Sequence, residues 1–582
     1  MNNNEQDITF RRLFLPFTNL KAFVIILIIG FIIFFACLFN GFVGDDPPLT
    51  TENPIVQSFT NLPIFFTGST FYNGAGQKLS GSFYRPLQTT FFSLIYSFLG
   101  PSAFAFHFFQ ILLFIINAFI LFLLFKQFFR KEISFCLSLI FLIHPINSEA
   151  ALYISVTQEP LFLFFGLSAL LILKKYHSQK AYFLANACLL FSLLSKEAGI
   201  LFLILTLIYI FIFLRKKLWE FLKYVPFILG IYLILRINAI GIFAKVTQNA
   251  PIEKLSLLGR LINVPEIFSF YVKTFLFPSN LAVMYQWINT KIDFVHFLFP
   301  LIIDVIFLGI IVFFAHYLYN RSLKKYFLIF VFFAIWFFLG MSLYLQIIPL
   351  DMTVSEQWFY FPIIGILGMI GVMLEAYKIN LKNKWIILVV LILLTSLSLR
   401  TIIRSFDFKD SFTLATHDLK VSKEAYGLEH ELSNIYFVKG DLEEAKIHAE
   451  KSIALYPYVF NYTDLGNAYF YLKQYKQAKQ AYSSALKYGD NYVTYDNIAA
   501  LAVDYGSPKQ NIDFIKNNAL KKYPGDARLW LYLSILEYQF GNKDNAKIEI
   551  QNAQLYNQSL PEVNQVYGAI MNNQPLQFKI GK

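Results

Sequence analysis

Long apolar runs alternate with short basic segments over the first two thirds of the chain, and they stop near Asp407. A helix needs about 20 apolar residues to cross a bilayer. On this pattern we predict eleven spans, at residues 22–40, 103–125, 132–146, 157–173, 181–195, 199–214, 224–241, 296–318, 326–348, 359–377 and 384–403. The remaining sequence is rich in Lys, Glu, Asn, Gln and Tyr. We therefore predict a membrane domain over residues 1–405 and a soluble domain over residues 406–582.

Basic residues indicate how the spans are oriented. They gather in the segments 1–21, 126–131, 174–180, 215–223, 319–325 and 378–383. Short loops rich in Lys and Arg stay on the cytoplasmic side of a membrane. The N-terminus is therefore predicted to be cytoplasmic and, after an odd number of spans, the second domain to be extracytoplasmic. Abundant Phe, Ile, Lys and Asn are typical of an AT-rich prokaryote, so we predict a multi-pass protein of the plasma membrane.

Composition narrows the class of protein. The chain is 57% hydrophobic and carries a net charge of +12. Because the basic residues of its first half lie in short segments between apolar runs, they fit anionic lipid and not a nucleic-acid partner. The three cysteines, Cys37, Cys136 and Cys188, all fall in apolar runs, so no disulfide framework is expected.

The second domain contains an internal repeat. Tyr436, Gly440, Ala445 and Ala449 are followed about 33 residues later by Tyr469, Lys473, Ala478 and Tyr482, and two weaker units follow. This pattern resembles the tetratricopeptide repeat, in which small residues let two helices approach. Stacked repeats form a concave surface for a protein partner, although a helical solenoid without a defined ligand is the alternative. The predicted fold is therefore all-α, a membrane helix bundle followed by an α-solenoid.

Polar clusters mark the predicted outer ends of the spans. Charges there are costly unless they pair or meet water. The clusters are Asp45–Asp46 and Tyr84-Arg85-Pro86-Leu87, then His144 with Glu149 and Glu159, then Ser195-Lys196-Glu197, and finally Glu356 with Tyr360.

These motifs resemble those of integral-membrane glycosyltransferases of the GT-C type, in particular the protein O-mannosyltransferase-like branch that carries tetratricopeptide repeats. The matching features are Asp-Asp, Tyr-Arg-Pro-Leu, Phe106-His107, His-Pro-x-x-x-Glu, Ser-Lys-Glu and Glu-x-x-x-Tyr-x-Pro, in the same order. Two positions depart from the pattern: Thr157–Gln158 stand before Glu159, and Gln357 follows Glu356, where the family has an arginine.

The resemblance implies an inverting transfer from a polyprenyl-phosphate sugar donor to a hydroxyl of a protein or glycan. Asp45 would be the general base and Asp46 its orienting neighbour or the second candidate. Arg85, Lys196 and Arg236 would face the leaving phosphate. His144 and Glu149 would bind the sugar, tune Asp45 or complete a site for a divalent metal, which stays open; no other cofactor is expected. Further substrate-binding candidates are Glu159, Glu197, Glu356 and Tyr360.

Two other functions stay open. A catalytically decayed membrane scaffold that recruits partners through its repeats is favoured by the two missing arginines. A lipid-linked glycan polymerase or transporter is disfavoured, because the charges lie at the ends of the spans and a transporter places them near the middle.

Overall fold

The computed structural model describes residues 18–72, 79–81, 83–241, 250–380, 383–557 and 560–576. The predicted inner segments 1–21 and 378–383 lie partly outside these residues. The chain divides into two units. The membrane unit comprises Met1–Thr70 and Gly81–Val421, and the repeat unit comprises Phe71–Ser80 and Ser422–Lys582.

The described part of the membrane unit is built of helices joined by short 3-10 or π turns. Its α-helices are Asn19–Ile33, Asp46–Leu49, Leu62–Thr67, Pro86–Leu99, Ala103–Phe125, Lys131–Ile143, Ser148–Leu152, Gln158–Lys175, Gln179–Ser195, Ile200–Phe213, Leu218–Leu222, Val225–Ile240, Leu257–Leu276, Phe299–Asn320, Lys324–Ser342, Pro362–Ala376, Lys384–Asp407 and Ser411–Val421. Its core is aromatic: Trp336 is fully buried, with ring centroids 5.9 Å from Phe202 and 5.4 Å from Phe361.

The prediction of eleven spans is not confirmed. Among the described residues, five helices are long and apolar enough to cross a membrane, and seven if each of two bent pairs counts as one span. The others are shorter, as in Asn19–Ile33 and Pro362–Ala376 with 15 residues each. At a rise of 1.5 Å per residue such a helix is about 22 Å long, short of the roughly 30 Å of hydrocarbon. Apolar runs alone overestimate the spans, because polar turns end several of these helices early.

The chain segments that follow the first helix and the last long helix lie side by side. Gly41 donates its N–H to the Lys409 carbonyl at 2.9 Å, and the Asn40 amide donates to the Ser405 carbonyl at 3.0 Å. These two helices therefore end at the same face of the membrane unit.

A buried ion pair extends the membrane unit beyond its predicted end at residue 405. The Arg404 guanidinium donates to both carboxylate oxygens of Asp418, at 2.6 and 3.0 Å, and both side chains are fully buried. Asp418 also accepts the N–H of Val283 at 2.7 Å. The first unit consequently ends at Val421, although the composition of the chain changes near Asp407.

The described part of the repeat unit is a series of helix pairs. The pairs are Tyr426–Lys439 with Leu442–Leu455, Val459–Tyr471 with Tyr475–Tyr488, Tyr492–Asp504 with Pro508–Phe514 and its continuation to Lys522, and Ala527–Gln539 with Lys543–Tyr556; Pro561–Met571 follows them. The strands Phe71–Tyr72 and Leu79–Ser80 pair antiparallel, and Tyr285 and Val354 form an isolated β-bridge in the membrane unit.

The repeat signature has a clear geometric cause. Gly440 and Lys473 occupy equivalent turns between the helices of the first two pairs, and both have a left-handed backbone, with φ of 80° and 61°. A Cβ at Gly466 would lie 2.3 Å from the Tyr482 ring, so the close approach of these helices requires glycine there.

Candidate active site

The adjacent aspartates Asp45 and Asp46 occupy opposite environments. Asp46 is fully buried, and its carboxylate accepts the N–H of Val43 at 3.0 Å and the N–H and hydroxyl of Ser155 at 2.7 and 2.5 Å. Burial raises the pKa of Asp46 to about 7, although these hydrogen bonds act to lower it. Asp45 is exposed, and its N–H donates to the Tyr153 hydroxyl at 2.9 Å. Asp46 therefore anchors the loop, whereas the Asp45 carboxylate is accessible.

Glycine 44 determines how this loop meets the rest of the unit. Its backbone is left-handed, with φ of 48°, and a Cβ there would lie 2.4 Å from the Tyr153 hydroxyl oxygen. The Gly44 N–H donates to the Ser411 hydroxyl at 3.0 Å. The loop is thus held from two sides, by the turn around Tyr153 and by the helix that follows the last long helix.

Lys196 is held inside the membrane unit. It forms an ion pair with Glu159 and donates to the Tyr344 hydroxyl at 3.3 Å. Its ammonium also lies 5.7 Å from the centroid of the Phe162 ring. The side chains of Lys196 and Glu159 are only 9% and 1% exposed. A buried pair of this kind is hard to break, because either partner alone would leave an uncompensated charge.

Arg85 makes a looser pair. Its Nε lies 3.5 Å from Glu197 Oε2, and the two side chains are 15% and 31% exposed. The other Glu197 oxygen accepts the N–H of Tyr84 at 2.9 Å, and the Arg85 guanidinium stacks 4.2 Å above the Phe83 ring. Arg85 is therefore the more accessible of these two paired cations.

Arg236 and Asp351 lie near these two ion pairs. We call Arg85, Lys196 and Arg236 the cationic group. Tyr232 hydrogen-bonds Arg236 and packs against Tyr84, with the ring centroids 6.2 Å apart. Asp351 is exposed and lies within electrostatic range of Arg85 and Lys196. The structure thus brings together five predicted residues, Arg85, Glu159, Lys196, Glu197 and Arg236. No motif of the sequence marks Asp351, because no other charged residue stands in its loop, residues 343–355.

Glu149 and Glu356 hold the loop that precedes Pro362–Ala376. Glu149 is buried and accepts the N–H of Gln357 at 2.9 Å and its side-chain amide at 3.0 Å. Glu356 is also buried and accepts the N–H of Ala282 at 2.7 Å. Burial raises the pKa of Glu356 well above its usual range. Both oxygens of Glu149 are hydrogen-bonded. Glu356 Oε1 also accepts the Tyr285 hydroxyl at 3.3 Å, whereas Glu356 Oε2 is buried and has no hydrogen-bond partner among the described residues.

His144 and Tyr360 form hydrogen bonds inside the membrane unit, and their predicted role in substrate binding stays a prediction. The His144 Nδ1 accepts the N–H of Ile146 at 3.2 Å, so its Nε2 carries the proton and donates to the Phe275 carbonyl at 2.9 Å. The buried Tyr360 hydroxyl accepts the Asn117 amide at 3.3 Å. Both side chains serve the packing of the bundle, because their polar atoms are used inside the protein.

The two positions that lack the expected arginines are in contact with each other. The Gln158 amide donates to Gln357 Oε1 at 3.5 Å, and the Gln357 amide donates onward to Glu149. Upstream, the Gln88 amide donates to Gln158 Oε1 at 2.8 Å and to the Ser155 carbonyl at 2.7 Å. We call Gln88, Gln158 and Gln357 the amide chain. The amide chain connects Ser155, which donates to Asp46, with Glu149. Its members are far apart in the sequence, so the sequence alone does not show it.

The candidate residues form no metal centre of the usual kind. Across the residues described, from 18 to 576 with the gaps given above, no three His, Cys, Asp or Glu side chains are close enough together to hold a metal ion.

Part of the chain matches a known family of proteins. Residues 85–239 match the family described as dolichyl-phosphate-mannose-protein mannosyltransferase. A protein O-mannosyl-transferase of Caenorhabditis elegans is 23% identical over 450 residues, which are 75% of this chain and 63% of that protein. The chain thus spans less than two thirds of this relative. These matches confirm the resemblance inferred from the motifs and support a glycosyltransferase.

One solved structure matches part of the chain. YrrB, described as a TPR protein with an unusual peptide-binding site, is 16% identical. The match covers 33% of this chain and 96% of YrrB, with a TM-score of 0.24.

Proposed function

We propose, from its likeness to the protein O-mannosyltransferases and from the arrangement of its polar residues, that this chain transfers a sugar from a polyprenyl-phosphate donor to a protein or glycan hydroxyl. The acceptor oxygen bonds to the anomeric carbon while the bond from that carbon to the phosphate oxygen breaks. A single displacement of this kind inverts the anomeric centre. The lipid tail stays in the bilayer, and the sugar is transferred at the outer face of the plasma membrane.

The observation that carries this proposal is the contrast between Asp45 and Asp46. A general base must be reachable by the acceptor hydroxyl and fixed in place. Asp45 is exposed, and the three hydrogen bonds to its buried neighbour Asp46 fix the loop that bears it. Asp45 takes the proton of the attacking hydroxyl, and Asp46 is the positioning residue.

Arg85 is the group that receives the leaving phosphate. Its single contact with Glu197 is long and partly exposed. Phosphate oxygens make strong bidentate contacts with a guanidinium, so they can replace that carboxylate. Lys196 stays paired with Glu159 and adds positive electrostatic potential near the phosphate. Arg236 adds a further positive charge and is held by its hydrogen bond with Tyr232.

The repeat unit is proposed to lie outside the cytoplasm, where its concave surface binds the protein acceptor or a partner. The hydrogen bonds between the chain segments that follow the first helix and the last long helix support this arrangement. With the N-terminus in the cytoplasm, Asn19–Ile33 runs outward, and the last long helix ends on the side of Asp45.

A membrane assay with labelled polyprenyl-phosphate sugars tests the function. We expect wild-type membranes to transfer the label, and Asp45→Asn to reduce transfer by at least about 100-fold, the usual contribution of a general base. Glu52→Gln, which alters an exposed carboxylate of the same loop, is the matched control and should transfer normally. Equal transfer by Asp45→Asn and wild type would refute the base assignment.

A catalytically decayed scaffold is the second candidate. It is favoured by the uncharged Gln158–Gln357 contact at the positions where the resemblance implies arginines. In that case wild-type membranes would transfer no sugar from any polyprenyl-phosphate donor offered, while the repeat unit would still bind a protein partner.

A further inference from the structure

The proposed reaction restricts where the sugar of the donor must lie. In a one-step displacement the anomeric carbon stands between the attacking oxygen and the leaving phosphate. With Asp45 as base and Arg85 and Lys196 near the phosphate, the sugar therefore lies between the loop of Asp45 and the cationic group.

The amide chain spans this interval. At one end, Gln88 contacts the carbonyl of Ser155, whose N–H and hydroxyl hold Asp46. In the middle, Gln158 precedes Glu159, which forms the ion pair with Lys196. The far end is Gln357, whose side chain remains partly exposed, whereas Gln88 and Gln158 are buried.

The chemistry of the chain suits a neutral, hydroxylated ligand. Each amide carries both donors and an acceptor and no formal charge. The Gln88 Oε1 is fully buried and has no hydrogen-bond partner among the described residues, so one acceptor of the chain is left over. A phosphate would find no cation on these three side chains, but sugar hydroxyls can donate to and accept from them.

We infer that the partly exposed Gln357 binds a hydroxyl group of the donor sugar and that the buried Gln158 and Gln88 hold its amide in place, so that the amide chain is the sugar-recognition wall of the site. This inference rests on the proposed function. It assigns the sugar and the phosphate to different residues: the amide chain reads the sugar, and Arg85 holds the phosphate. The two parts of the donor should therefore respond to different substitutions.

Binding of two lipids, one with and one without the sugar, distinguishes sugar recognition from phosphate binding and requires no catalytic turnover. The purified full chain with Asp45→Asn is titrated with undecaprenyl-phosphate mannose and with undecaprenyl phosphate, which lacks the sugar. We expect the sugar-bearing lipid to bind more tightly. Gln357→Met should weaken its binding about three- to tenfold, the range for a lost neutral hydrogen bond, and leave undecaprenyl phosphate unaffected. Gln357→Met keeps the backbone bond to Glu149, so the loop stays in place.

Three further variants complete the design. Gln158→Met should act like Gln357→Met, and Arg85→Ala should weaken both lipids alike. Gln127→Met is the matched control, because Gln127 is an exposed glutamine whose side chain bonds its own helix at the Leu123 carbonyl.

Each outcome has a definite meaning. If Gln357→Met and Gln158→Met bind both lipids as the Asp45→Asn parent does, or weaken both equally, the amide chain is a structural brace and the inference is wrong while the proposed function stands. If the parent binds neither lipid, the proposed function fails and the inference falls with it.

Discussion

At the residue scale, burial and not chemical type separates the two aspartates. Both are carboxylates in one turn of chain, but only Asp46 loses its water, and burial is the largest cause of its raised pKa. The hydrogen bonds from Val43 and Ser155 replace part of that water. Asp45 keeps contact with solvent. One turn therefore supplies an accessible carboxylate and the anchor that aims it.

The ionisation of Asp46 should appear in the pH dependence of transfer. Its pKa is raised to about 7, so Asp46 is neutral below that pH and negative above it. The negative charge next to Asp45 strengthens the basicity of Asp45. We therefore expect kcat/KM to rise as the pH increases through about 7 in the wild type, and this inflection to vanish in Asp46→Asn. A pH profile of both proteins measures it, and an unchanged inflection in Asp46→Asn would contradict the assignment.

At the scale of elements, the candidate site is built from turns between helices. The turn of residues 40–46 meets the turn around Tyr153 and the chain that follows the last long helix. The 3-10 turn Glu356–Phe359 is held by Glu149 from another connection. Helix ends leave backbone donors unpaired, and here side-chain oxygens accept several of them. The rigidity of the site therefore depends on these turns.

Gly44 provides a direct test of that dependence. Alanine at this position would require a left-handed backbone and would place a Cβ against the Tyr153 hydroxyl. We expect Gly44→Ala to displace Asp45 and to lower transfer by about 100-fold, as for a base moved by about 1 Å. Gly100→Ala is the matched control, because Gly100 also has a left-handed backbone, with φ of 68°, but no atom lies within 4 Å of the added Cβ. The transfer rate and the amount of protein in the membrane are measured together, and equal transfer by both variants would contradict the role of the turn.

The sequence predicted the charged members of the site better than the residues that hold them. Charge at the end of an apolar run is conspicuous, and the ion pair of Lys196 with Glu159 is formed from two such positions. Tyr153, Ser155 and Gln88 are uncharged, and their partners are distant in sequence, so no local pattern reveals them. The motifs also pointed to His144 and Tyr360, whose internal hydrogen bonds to Phe275 and Asn117 no local pattern shows.

At the scale of the whole molecule, the sequence predicted the repeated helix pairs better than it predicted where helices and units end. The helix pairs of the repeat unit follow the spacing of small and aromatic residues seen in the sequence. The eleven predicted spans are not confirmed, and the segment that follows the last long helix belongs to the first unit although the composition changes near Asp407. The number of spans and this boundary each depend on the ends of helices or on a tertiary contact, such as the Arg404–Asp418 pair, and hydropathy does not report these.

Sidedness is the property of the whole molecule that the proposed function needs. The hydrogen bonds of Asn40 with Ser405 and of Gly41 with Lys409 place the loop of Asp45 and the end of the last long helix at one face of the membrane unit. Lys420 is exposed near the end of the membrane unit, and Lys175 is exposed at the opposite end of Gln158–Lys175 from Glu159. We expect a membrane-impermeant thiol reagent to label Lys420→Cys in intact cells and Lys175→Cys only after permeabilisation, with the unmodified chain as the control for its native cysteines. The reverse pattern would place Asp45 in the cytoplasm, away from an exoplasmic lipid-linked sugar.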